Sequence, residues 1–136
     1  AVKAVSKAIP ELQGVLTGTA IRVPTPNVSL AVLVLNLKED VTKEGLNEFL
    51  KTSAFTSKYR QIIGYTNSPE AVSTDFYSSP FATIIDSQAT IAEGSQVTLY
   101  CWYDNEFGYS KQVLNLTKKI AKIELPRFPL AIDTSV

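Results

Sequence analysis

The chain is 136 residues long, 45% apolar and 19% charged, with thirteen basic residues cancelled by thirteen acidic ones. That length suits one domain with one core, and the charge balance gives no sign of the one-sided positive field that non-specific binding to nucleic acid or anionic membranes requires. The longest apolar run, residues 28–37, is broken by Ser29 and Asn36 and falls far short of the ~20 residues that cross a bilayer, so no transmembrane segment is expected.

Residues 1–9 place Val2, Val5 and Ile9 on one side of a short helix, with Lys3 and Lys7 toward water, and Pro10 stops it. Residues 16–23 and 28–37 read as strands separated by Pro24-Thr25-Pro26-Asn27, where two prolines deny backbone donors. The second strand is apolar on both faces through Leu30, Val32, Leu33, Val34 and Leu35, which predicts a central strand covered on both sides. Thr42 can cap a helix over residues 43–54 that turns Leu46, Phe49 and Leu50 to the sheet, slightly weakened by Gly45. A Ser-, Thr- and Lys-rich connection leads to Ile62-Ile63-Gly64-Tyr65 and an Asn67-Ser68-Pro69 turn. Short strands are predicted over residues 72–77, 82–86 and 89–92, and Glu93-Gly94-Ser95 turns the last into a hairpin with residues 96–103.

Residues 101–110 form a junction. Before it, Val97, Leu99, Cys101 and Tyr103 alternate with Thr98, Tyr100 and Trp102 at strand period; after it, Val113, Leu116, Ile120 and Ile123 recur at helical steps from a start near Phe107. Asp104 or Asn105 is the expected N-cap, because a short side-chain oxygen there accepts from the unpaired N–H groups of the first turn. Residues 124–136 are too proline-rich to continue the helix, and read either as a loose end or as an arm laying Phe128 and Leu130 on a partner. The expected layout is a domain over 1–123 followed by that tail. Its class is α+β, a mixed, mostly antiparallel sheet with the 43–54 helix and the C-terminal helix packed on one face.

Candidate chemistry is sparse. One cysteine makes no internal disulfide, and no cluster suggests a metal site, so a reducing compartment, cytoplasm or an organelle interior, is expected. There is no methionine, which points to a start after an initiator, after a cleaved targeting segment or inside a longer polypeptide. There is also no histidine to serve as a general base.

Two runs are more specific than their chemistry. Tyr103-Asp104-Asn105-Glu106-Phe107-Gly108-Tyr109-Ser110, after an aromatic strand, resembles the C-terminal signature of phosphorylating glyceraldehyde-3-phosphate dehydrogenases. Ile9-Pro10-Glu11-Leu12-Gln13-Gly14, Leu16-Thr17-Gly18 and residues 21–29 (Ile21-Arg22-Val23-Pro24-Thr25-Pro26-Asn27-Val28-Ser29) resemble a run in the catalytic half of the same family, in the family's order. The resemblance extends from about Lys3 to about Lys122 and leaves the tail without a counterpart. Ser78-Ser79-Pro80-Phe81 departs from it, since many members carry histidine and serine there. An unrelated small-ligand α+β domain would require both long runs to be coincidental.

The resemblance implies an enzyme that oxidises glyceraldehyde 3-phosphate with NAD and inorganic phosphate through a histidine-activated cysteine thioester. It implies that Arg22 helps hold a substrate or inorganic phosphate, that Asn105 orients the nicotinamide carboxamide, and that Tyr109 lies close to that ring. It assigns no catalytic residue. Cys101 lies in the strand before the junction, a position the family does not use for covalent chemistry, and reads as a small buried hydrophobe. The Ser-Cys-Thr-Thr-Asn-Cys type of nucleophilic run is missing from these residues, as is the histidine, and such losses cost on the order of a millionfold in turnover. No Gly-x-Gly-x-x-Gly run cradles a pyrophosphate. Alone, the chain is expected to take no cofactor; completed by the missing domain, it would share NAD.

Two functions follow. The favoured one is a non-catalytic accessory or structural subunit of a larger assembly, with protein partners on an exposed sheet face, the C-terminal helix and the tail. The alternative is a C-terminal segment of an active enzyme whose nucleophile and nucleotide-binding domain lie elsewhere. In the resembled family the last helix packs on the nucleotide domain, so Val113, Leu116 and Ile120 must find another surface, and Leu116→Asp is expected to cost several kcal/mol.

Overall fold

The computed structural model describes residues 2–123. In chain order it contains helix α1 (Val2–Ala8), a 3-10 turn (Pro10–Leu12), strand β1 (Ser29–Asn36), helix α2 (Lys43–Thr56), strand β2 (Ile63–Thr66), a second 3-10 turn (Ser73–Phe76), strands β3 (Thr83–Glu93) and β4 (Gln96–Tyr103), and helix α3 (Asn105–Ile120). The expected tail lies outside the described residues.

The four strands make one sheet in the order β1-β4-β3-β2. β1 pairs antiparallel with β4 along its whole length, from Ser29 opposite Tyr103 to Asn36 opposite Gln96. β3 and β4 form the expected hairpin around Gly94-Ser95, with Gly94 in the left-handed region that the tight turn needs. β2 is parallel to β3. The α+β class and the mixed, mostly antiparallel sheet are as the sequence predicts.

α2 covers one face. Thr42 accepts from the Gly45 N–H at 3.1 Å and starts the helix where expected. Leu46 and Leu50 pack on Ile85, Val97, Leu99 and Cys101. Phe49 does not follow them: it is exposed, because only one stripe of a surface helix can meet a sheet. The opposite face is covered at one end, where Phe76 stacks on Trp102 with ring centroids 5.4 Å apart and joins Val28 and Ile84.

Four local readings need correction. Residues 16–23 form no strand: their backbone groups join no ladder of the sheet, and Ile21 and Val23 are exposed. The strand after them is consequently an edge strand and not a central one; Leu30, Val32 and Val34 look into solvent, Val34 at 74% exposure. Residues 73–76 make a 3-10 turn in place of a strand, because the Asp75 carboxylate accepts from the Val72 N–H at 2.9 Å and offers the backbone a local alternative to a ladder. The two strands predicted over 82–86 and 89–92 are one, β3, with a bulge: the step from Asp86 to Ile91 faces the shorter step from Tyr100 to Thr98 on β4. The bulge buries Asp86, whose carboxylate accepts from Trp102 Nε1 at 3.1 Å and from the Ala89 N–H at 3.3 Å.

The C-terminal helix departs furthest from expectation. Its first turn docks closely, but Val113, Leu116 and Ile120 are exposed, the last at 74%. The side of α3 carrying Lys111, Gln112, Asn115 and Lys118 is the more sheltered one. Its apolar stripe therefore covers nothing among the described residues.

Candidate functional site

The strand-to-helix junction is organised by one carboxylate. Asp104 follows β4, is 3% exposed, and is the N-cap of α3, so Asn105 is the first helical residue and not the cap. Its Oδ1 accepts from the N–H groups of Glu106 (3.1 Å) and Phe107 (2.9 Å). Its Oδ2 accepts from the Ser78 N–H at 2.8 Å and from Asn27 Nδ2 at 3.3 Å. The Phe107 N–H most of all, with those of Ser78 and Glu106 and the Asn27 amide, holds the carboxyl below the usual aspartate range against the opposing effect of burial.

This clamp joins the two conspicuous sequence runs. Asn27 belongs to the Pro24-Thr25-Pro26-Asn27 loop and Asp104 to the junction, 77 residues later, and the pairing of Ser29 with Tyr103 sets the same two segments side by side. Between them Val28 adopts φ 68°, a conformation that a β-branched residue accepts only under constraint, while its side chain is buried against Phe76 and Ile84. Ser78, the fourth party, also has positive φ, at 57°.

Gly108 fixes how the helix leaves this point. A Cβ there would lie 2.6 Å from the Phe81 carbonyl oxygen, so only glycine allows the first turn of α3 so near that backbone. One turn on, Gln112 Nε2 donates to the Pro80 carbonyl at 3.3 Å.

The sequence-predicted site residues sit around the clamp and not inside it. Asn105 and Tyr109 are one helical turn apart at the start of α3, share a face and are exposed. Arg22 lies in the extended, unpaired segment before the proline loop, exposed and without an ion pair among the described residues. The structure brings the loop that follows Arg22 to the root of α3 through Asn27; it shows no contact between Arg22 and Asn105 or Tyr109. An exposed amide beside a phenol suits a carboxamide and the edge of a planar ring, which fits the nicotinamide end of NAD. The rest of the dinucleotide has no such fit, since the glycines with positive φ, Gly14 and Gly94, stand in turns and not between a strand and a helix.

Cys101 is buried under α2, and burial pushes its thiol pKa up, only partly offset by the nearby Thr83 hydroxyl, which stands outside hydrogen-bond geometry. An activated nucleophile requires the opposite environment. Asn27, Ser78 and Gly108 received no role from the sequence. Asn27 and Gly108 lay in the runs that carried the resemblance, and a short polar residue after a proline was the available signal for Asn27; Ser78 had none.

The chain matches the family described as "Glyceraldehyde 3-phosphate dehydrogenase, C-terminal domain" over residues 1–105, a span that includes Arg22, Asn27, Asp104 and Asn105 and stops short of Tyr109. It is 50% identical over 129 residues to a glyceraldehyde-3-phosphate dehydrogenase-like protein of Pseudomonas aeruginosa, covering 95% of this chain and 28% of that protein. It is 46% identical over 122 residues to glyceraldehyde-3-phosphate dehydrogenase 2 of Bacillus subtilis, covering 89% and 35%. The corresponding figures for the enzyme of Zymomonas mobilis are 42% over 123 residues, 90% and 36%. The chain thus spans about a third of the length of the curated relatives it matches. With both runs meeting at Asp104 and the match covering most of the chain, this protein belongs to the glyceraldehyde-3-phosphate dehydrogenase C-terminal domain family.

Proposed function

We propose that this chain is the positioning part of an NAD-dependent glyceraldehyde-3-phosphate dehydrogenase, completed by a nucleophile and a nucleotide-binding domain on other residues. One observation carries the reading: α3 turns Tyr109, Val113, Leu116 and Ile120 outward as a continuous stripe beginning beside Asn105. Apolar stripes of this kind are normally covered. A covering domain that also held a nicotinamide would meet the stripe and the Asn105 amide together.

In the completed protein Asn105 orients the carboxamide, Tyr109 lies along the ring, and Arg22 offers a permanently charged, planar donor fork to a phosphate. NAD, when bound, supplies the hydride acceptor. Asp104 acts on none of these groups directly; it holds the Arg22 loop and the helix start in one frame. The present residues lack histidine and the nucleophilic cysteine run, so the bond-making groups come from elsewhere.

A second reading, a non-catalytic accessory subunit, draws on the exposed face of β1, where Leu30, Val32 and Val34 suit a protein partner. Intact-mass analysis of the natural product, combined with NAD reduction in the presence of glyceraldehyde 3-phosphate and phosphate, separates the two. Turnover by a longer product or a companion-containing complex, with Arg22→Ala raising the KM for phosphate-bearing substrate, supports the enzyme reading. An intact assembly that binds this chain and never turns over favours the accessory role.

A further inference from the structure

A cleft of about 1020 Å³ runs along α3 from Lys111 onward, between it and the connection from α2 to β2; Asn105 and Tyr109 do not line it. Lys58 and Arg60 stand on one wall, and Lys111, Lys118, Lys119 and Lys122 on the other. These are six of the chain's thirteen basic residues, and among the described residues no acidic side chain lines the cleft. Among the described residues none of the six takes part in an ion pair; the single pair there is Lys51 with Glu48, on α2. Arg60 Nη1 is in addition buried without a hydrogen-bond partner, a state that protein interiors rarely leave uncompensated.

An ordinary use accounts for part of this. Lys118 and Lys119 lie in the last turn of α3, where cations complement the negative end of the helix dipole. That explanation does not reach Lys58, Arg60 or Lys111. Gathering Lys58 and Arg60 opposite the lysines of α3 costs mutual repulsion that an anionic ligand would relieve.

The lining is not all charged: Ile62, Phe81 and Leu116 contribute apolar surface to the same cleft. A small inorganic anion would satisfy the charges and leave that apolar surface wet. A nucleic-acid strand gains from a one-sided molecular field and a row of stacking rings, and the balanced net charge supplies no such field. A peptide segment alternating carboxylates with aliphatic side chains matches both surfaces.

We infer that this cleft is a docking groove for an acidic, aliphatic-containing segment of a partner protein. The inference does not rest on the proposed enzymatic role, and its test reads no catalysis. The probe is a fluorescein-labelled synthetic peptide as long as α3, with Glu on one helical face and Leu on the other, titrated with the full chain and followed by anisotropy. Saturable binding that weakens as salt rises is expected, with about a tenfold loss in the Lys118→Glu/Lys122→Glu variant and no change in Lys51→Glu, whose charge lies outside the groove. Circular dichroism checks that both variants keep the wild-type helix content. The inference fails if the charge-reversed variant binds the peptide as well as wild type does. It fails equally if inorganic tripolyphosphate or a single-stranded oligonucleotide displaces the peptide at matched charge. Tighter peptide binding by a chain ending at Ile123 would assign the groove to the chain's own residues 124–136 and also overturn it.

Discussion

Replacing Asp104 by alanine removes the acceptor of four hydrogen bonds at once: two from the first turn of α3, one from the Ser78 N–H and one from the Asn27 amide. Loss of an N-cap costs about 1 kcal/mol, and stranding a part-buried backbone donor such as the Ser78 N–H costs a further ~1–3 kcal/mol. The sum, about 2–4 kcal/mol, is a large share of the ~5–15 kcal/mol by which domains are stable. For a chain of this size it corresponds to a drop in Tm of about 10 °C, read by calorimetry or far-ultraviolet circular dichroism at neutral pH. Asp104→Asn should lie between wild type and alanine: its one carbonyl oxygen can still cap the helix, but an NH2 then replaces the oxygen that faced the Ser78 N–H. Asn27→Ala should be the mildest, since it removes one long bond at a partly exposed site. If Asp104→Ala melts within about 2 °C of wild type, the junction is not clamped as described and the link between the two sequence runs is incidental.

The same carboxylate predicts an acid limit. Its folded pKa lies below the unfolded value, so in the window beneath about pH 4 the unfolded chain binds the proton first. The contribution of Asp104 is therefore fully present above that value and fades as pH falls through the folded pKa; Asp104→Ala should flatten the low-pH part of a stability profile relative to wild type. Gly108→Ala should lower the melting temperature although alanine favours helix by about 1 kcal/mol, because the new Cβ meets the Phe81 carbonyl oxygen at 2.6 Å and backbone must move; a higher melting temperature would contradict the close approach. Leu116→Asp should leave the chain's own melting nearly unchanged, since Leu116 is 58% exposed and buries little here, while impairing association with the domain that completes it; a loss of several kcal/mol in the chain alone would show the helix packed inward. Cys101 should react with a thiol-specific reagent only as fast as the chain opens, because it is buried and its thiolate is disfavoured; rapid labelling of the native chain would refute this burial.

The sequence alone determined what depends on neighbours a few residues away. The Thr42 cap, the Gly94 turn and the change of period between Tyr103 and α3 were legible because each rests on local hydrogen bonds or on side-chain alternation. Arg22, Asn105 and Tyr109 were singled out only through the runs they stand in, since exposed polar side chains leave no periodic signature. The fate of apolar segments was decided by tertiary structure, because apolarity says that a residue gains from burial without saying what covers it. So residues 16–23 lie unpaired, β1 stands at an edge, and α3 faces its stripe to solvent. The bulge in β3 and the clamp at Asp104 were equally beyond the sequence: both are set by groups far apart in the chain, and only the folded backbone brings Asn27 and Ser78 within hydrogen-bond distance of one carboxylate.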